Sequence, residues 1–155
     1  MKLYLVQHGE AHPQEIDPDR SLTGQGRDDV DRLAALLKRA TIRVDRVIHS
    51  GKLRALQTAQ ALAGAIAPGV ELESSGLINP NDNPKAFDWQ SENWNRATLV
   101  LPQLPFMARP ASHLLVSQHT ACIPAVPPGR LACVEANGAA GSPIAWLIRT
   151  HWRVY

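Results

Sequence analysis

Two short segments carry side chains able to do chemistry together. The first, Gln7-His8-Gly9-Glu10-Ala11, follows the apolar run Leu3–Val6. A histidine in this position sits at the end of a strand, and the glycine beside it lets a ligand approach the backbone. The second runs from His49 through Ser50, Gly51 and Lys52 to Arg54, then Gln57-Thr58-Ala59. It opens a helix after another apolar run, so free backbone N–H groups and the positive helix end face a crevice. Arg54 falls in the first helical turn, from where a guanidinium can fork onto a phosphate. A cation there opposes the helix dipole, a conflict that an anionic partner resolves.

Positioning these groups requires strands that end side by side. Leu3–Val6 reads as a buried strand. Thr23 is placed to cap a helix reaching about Ala40, with Val30, Leu33, Ala34 and Leu37 on one face. Arg46–His49 is a second strand, and a helix from about Lys52 to Ile66 follows, stopped by Pro68-Gly69. Val70–Glu73 reads as a third strand, and 79–84 (NPNDNP) as a loop. The pattern then predicts a helix over 85–95, a strand over Thr98–Leu101 and a helix over 106–118. Leu131–Glu135 and 144–154 read as a closing pair of strands. The last alternates, with Arg149, His151 and Arg153 on one face as a solvated basic edge. Strands alternating with helices predict a three-layer α/β/α domain with a mostly parallel sheet. In such sheets sites lie beyond the carboxyl ends of the strands, which brings together Gln7-His8, His49-Ser50 and Leu101–Gln103.

The 155 residues suffice for one domain, 1–155, with a single core. Apolar residues make up 45% and charged residues 19%, as in ordinary globular proteins. A net charge of +2 from interspersed acids and bases points to neither nucleic acid nor an acidic membrane surface. No apolar run approaches the roughly 18 residues of a membrane span, and the first run is too short for a signal peptide. Cys122 and Cys133 have no metal or redox spacing. Buried reduced thiols fit a cytoplasmic protein.

Taken in order, four motifs resemble the histidine phosphatase superfamily, and specifically its small SixA-type phosphohistidine phosphatases. They are LYLVQHGEA, RSLTGQG, SGKLRALQTA and LINPND. The short length favours the SixA-type branch over the mutases. The resemblance implies a phosphoglycerate mutase-like fold. It implies that His8 attacks phosphorus in line, becomes phosphohistidine, and is freed by water. It further implies Arg54 as a phosphate ligand, with Gln7, Gly9, Ser50 and Gln103 lining the substrate pocket. No metal or other cofactor is expected. The expected partner is a phosphate-bearing substrate such as a histidine-phosphotransfer protein; the oligomeric state is left open.

The chain departs from the family pattern in two places. Gln7 stands where the family has an arginine before the nucleophile. Glutamine still donates a hydrogen bond, but it lacks the charge and the fork. The family's second histidine has two possible registers. One sets Gln103 in its place, within LVLPQLPF. The other uses the strand 114–118 and makes His119 the catalytic residue. The Leu-Pro-Phe that follows, and the helix room after it, favour Gln103. Glu10, Asp17 and Asp82 lie near the predicted crevice, and the general acid stays unassigned among them.

Overall fold

The computed structural model describes residues 2–76, 78, 96–102, 131–135 and 144–148. Its elements are β1 (Lys2–Val6), α1 (Gly24–Arg39), β2 (Arg46–His49), α2 (Leu53–Ile66), β3 (Leu72–Ser74), β4 (Thr98–Leu101), β5 (Leu131–Glu135) and β6 (Ile144–Ile148). The expected helices over 85–95 and 106–118 lie outside the described residues, as do the loop over 79–84, Cys122, and Arg149, His151 and Arg153 of the basic edge.

The strands form one six-stranded sheet in the order β3-β2-β4-β1-β5-β6. Strands β1, β2, β3 and β4 pair in parallel, while β5 runs antiparallel between β1 and β6. Only β5 opposes the common direction, so the sheet is mostly parallel, as the sequence predicts. The register aligns Tyr4 with Leu99 and Leu99 with Val47, then Leu5 with Val100 and Val100 with Ile48. The first row gathers with Val6 and Leu101 under the apolar stripes of α1 (Val30, Leu33, Ala34, Leu37) and α2 (Ala59, Leu62, Ala63, Ile66). The second row points to the opposite face, and Leu5, Ile48 and Val100 are buried there too. A sheet buried on both faces is the arrangement of a three-layer α/β domain.

Both helices start and stop for local reasons. The Thr23 hydroxyl accepts the Gly26 N–H at 2.9 Å, satisfying one of the free donors of the first turn of α1. The other end closes in a Schellman motif. The Ile42 N–H reaches back to the Leu37 carbonyl at 3.1 Å, and the Thr41 N–H to the Lys38 carbonyl at 3.0 Å. The motif needs a left-handed residue at position 41, and Thr41 has φ 54. A β-branched residue is poorly suited to that region.

Two boundaries differ from the sequence reading. Lys52 is the N-cap of α2 rather than its first residue. Strand β3 begins at Leu72, not Val70. The Val70 N–H is held by the Ala67 carbonyl at 3.1 Å in a turn through Gly69 (φ 80), so the ladder with β2 starts only where Leu72 meets Val47.

The left-handed Thr41 yields a prediction. Thr41→Gly removes the Cβ penalty and should stabilise the fold by about 0.5–1 kcal/mol. Urea unfolding measures this; a lower midpoint in the variant would show that the strain is not there to relieve.

Candidate active site

The parallel strands β1, β2 and β4 end together at Val6, His49 and Leu101. The residues just beyond them are Gln7-His8, Ser50 and Pro102. Gln103, His119 and Asp82 lie outside the described residues, so the two registers for the second histidine are not distinguished by position.

His8 is half-buried and both ring nitrogens are engaged. Its Nδ1 lies 2.7 Å from the Gly9 carbonyl oxygen, and Arg54 Nε lies 3.1 Å from its Nε2. A carbonyl only accepts, and a guanidinium only donates. One neutral tautomer satisfies both bonds: the proton sits on Nδ1, and the Nε2 lone pair faces Arg54. Burial pushes the His8 pKa down, and the charges of Arg54 and Arg20 push the same way, against the Gly9 carbonyl bond that favours protonation. The imidazole is therefore held neutral with an unprotonated Nε2, the state a nitrogen nucleophile needs.

Arg54 reaches His8 because α2 starts directly after the β2 turn. The N-cap Lys52 makes no side-chain cap bond, and the first turn carries no acidic residue. The Thr58 hydroxyl, one turn on, donates to the Arg54 carbonyl at 2.8 Å and accepts the Gly9 N–H at 3.1 Å. It thereby clamps the nucleophile loop to the helix that carries Arg54. Ser50 is buried at 6% exposure beside this turn.

Gly9 is required for a reason the sequence reading missed. Its N–H is taken by Thr58, so it is not an open backbone face for a ligand. A Cβ there would lie 2.7 Å from the Gly26 carbonyl oxygen and 2.9 Å from Val30 Cγ2. A Cβ on Gly26 would lie 2.1 Å from the Glu10 carbonyl oxygen. The nucleophile loop thus crosses α1 backbone against backbone, and both motif glycines serve that crossing.

Gln7 is 5% exposed, and its Oε1 has no hydrogen-bond partner among the described residues. Glu10 is exposed, and its backbone carbonyl accepts the Thr23 N–H at 3.0 Å. The Asp17 carboxylate is occupied by the Ser21 hydroxyl and N–H and by the Asp19 N–H. The Ser21 bonds, with that from Asp19, hold its pKa below the usual carboxylate range, which makes it a poor proton donor at neutral pH.

The roles of two residues near the site escaped the sequence reading. Arg20, quoted there only as part of a motif, acts electrostatically on both His8 and Arg54. His49 is buried at 6% exposure, and its Nδ1 accepts the Gly51 N–H at 3.1 Å. That bond braces the Ser50-Gly51 turn, where Gly51 has φ 76. Its position at a strand end was a legible signal; its role in the turn was not.

The sequence profile of the histidine phosphatase superfamily (branch 1) matches residues 3–75. Among solved structures, the protein histidine phosphatase SixA complexed with tungstate superposes with a TM-score of 0.81 at 22% identity, covering 97% of each chain. The putative phosphohistidine phosphatase SixA from Agrobacterium tumefaciens superposes with a TM-score of 0.69 at 23% identity, covering 86% of this chain and 90% of the other. A phosphoserine phosphatase from Entamoeba histolytica, in complex with 3-phosphoglyceric acid, does so with a TM-score of 0.65 at 17% identity, covering 93% and 94%. No curated protein matches in sequence. Residues 3–75 thus match the histidine phosphatase superfamily (branch 1), and the fold of the chain is the α/β fold of the SixA structures. Among the described residues no helix is long and apolar enough to cross a membrane.

The lowered histidines set a pH dependence of stability. Burial depresses His49, and burial with the arginine charges depresses His8, both from an ordinary value of 6.5. Above that value the folded and unfolded chains both hold these groups neutral, and stability is at its plateau. Below it the unfolded chain takes up protons first, so stability falls until the folded histidines protonate as well. The melting temperature should therefore drop on acidification below about pH 6.5, with a shallower drop in His49→Gln. A melting temperature that rises or stays flat across that window would contradict the assignment.

Proposed function

We propose that the protein is a phosphatase that removes phosphate from phosphohistidine proteins, or from small phosphomonoesters, through a phospho-His8 intermediate. The observation that carries this reading is the pair of bonds on the His8 ring, Nδ1 to the Gly9 carbonyl and Nε2 to Arg54 Nε. They leave one lone pair, on Nε2, beside one guanidinium.

When a phosphoryl group enters, Arg54 transfers its donation from Nε2 to a phosphoryl oxygen. The Nε2 lone pair then forms the N–P bond as the bond from phosphorus to the leaving group breaks. The leaving group departs with the bonding pair and takes a proton from solvent. Water then attacks phosphorus in line from the face the leaving group vacated and gives its proton to solvent, while the N–P bond breaks with its pair returning to Nε2, leaving neutral His8 and phosphate. The uncapped start of α2 adds its positive end to the same crevice. An imidazole leaving group needs less acid help than an alkoxide, which suits a site where Asp17 is held ionised. A phosphorylated histidine-phosphotransfer protein of the cytoplasm is the substrate this reading favours.

A second reading, a degenerate module that binds phosphate or a phosphoprotein without turnover, is favoured by Gln7. A buried amide replaces the arginine that the family places beside the nucleophile. Removing one transition-state donor costs about 10²–10³ in rate in well-studied sites.

Turnover of a phosphorylated histidine-phosphotransfer domain and of an aryl phosphate separates the readings. The phosphatase reading expects rates above background that His8→Ala abolishes. Equal background rates in both proteins, with phosphate still raising the melting temperature, would leave the binding module. A large gain in the double variant Gln7→Arg with Gln103→His would then show an intact scaffold with a weakened pocket.

A further inference from the structure

The loop between β1 and α1 is built around one carboxylate and one strained residue. Asp17 Oδ1 accepts the Asp19 N–H at 3.0 Å, and Oδ2 accepts the Ser21 N–H at 2.8 Å together with the Ser21 hydroxyl. The Arg20 N–H closes a turn onto the Asp17 carbonyl at 2.9 Å. These bonds hold Arg20 at φ 53, in the left-handed region. Residues with side chains persist there only where their surroundings over-determine the conformation, and such places cluster at ligand clamps.

The same loop is fastened to the site. His12 N–H donates to the Ser21 carbonyl at 2.9 Å, and Ala11 bridges to Leu22. The Leu22 N–H donates to Gln57 Oε1 at 2.8 Å, and Gln57 lies on α2 close after Arg54. The Arg20 side chain is fixed in turn, because its Nε donates to the His12 carbonyl at 3.1 Å. Among the described residues its terminal N–H groups have no acceptor and no carboxylate pairs with it. Its charge reaches both His8 and Arg54. Burial and the Arg20 charge both push Arg54 down, so the two guanidinium groups repel, and an anion between them converts that cost into binding.

We infer that Arg20 is the second cation of this pocket, and that its terminal N–H groups bind an oxygen of the phosphoryl group, supplying the charge that Gln7 lacks. The inference rests on the phosphatase or phosphate-binding reading of the His8 site. The strained backbone is then the means by which a loop arginine is aimed at the site.

Calorimetric titration with inorganic phosphate or orthovanadate tests it on the whole chain. The variants are Arg20→Gly, Arg20→Lys and Arg54→Ala. Glycine suits the left-handed position, so Arg20→Gly should keep the melting temperature of the parent while weakening phosphate binding by about tenfold to a hundredfold. Arg20→Lys should restore part of that loss, since the charge returns without the fork. In the absence of phosphate, the His8 ring followed by NMR should titrate at higher pH in Arg20→Gly, an effect a purely structural role would not produce. Phosphate affinity within about twofold of the parent in Arg20→Gly, with binding still lost in Arg54→Ala, would overturn the role of Arg20 and leave the site reading standing. Absence of phosphate binding in the parent protein would overturn both.

Discussion

The crossing of the nucleophile loop over α1 is the contact on which the rest of the site depends. Gly9 and Gly26 let two backbones meet where a Cβ on either would overlap a carbonyl oxygen. Overpacking of this kind costs about 1–3 kcal/mol where the structure can yield at all. Here it would push the loop away from α1 and carry His8 with it. The position of His8 follows from the crossing, through the Gly9 carbonyl that fixes its tautomer and the Gly9 N–H that docks on Thr58. Thr58 belongs to the helix of Arg54, so one glycine sets both the ring and its distance to the guanidinium.

Charge, rather than shape, distinguishes this pocket. Gln7 sets an uncharged amide just beyond β1, and its Oε1 is buried without a partner among the described residues. An unpartnered buried acceptor is a standing cost of about 1–3 kcal/mol. It persists beside a site where Arg54 is itself pushed down by burial and by the nearby Arg20 charge. Among the described residues, Arg54 and Arg20 are the cations whose charge acts on His8. An anion entering such a site is drawn toward the Arg54 side of His8, where the Nε2 lone pair already points.

Much of this organisation was legible in the sequence because it is local. Thr23 before an apolar stripe of helical spacing announces α1, and Val30, Leu33, Ala34 and Leu37 are all buried as that stripe requires. Thr98–Leu101 is a run of buried residues from end to end, and it reads as a central strand. The convergence of His8 with Arg54 followed from parallel strands ending together. What stayed hidden depends on contacts between distant segments. Gly9 looked like a glycine that opens the backbone, because nothing local reveals that Gly26 lies against it. Arg20 drew no reading beyond its motif, because its left-handed backbone is held by bonds to Asp17, and its Nε is held by the His12 carbonyl. Val70 looked like strand because β-branching is local, whereas the turn through Gly69 decides where the ladder begins.

The central claim is that His8 accepts the phosphoryl group on Nε2. Rapid quenching of the protein during turnover of an aryl phosphate, under alkaline conditions that preserve phosphohistidine, tests it directly. Mass spectrometry should find one phosphate per chain, on His8, and phosphorus NMR should place it on Nε2, because Nδ1 is committed to the Gly9 carbonyl. Phosphate on Nδ1, on another residue, or on none while turnover proceeds would contradict the account.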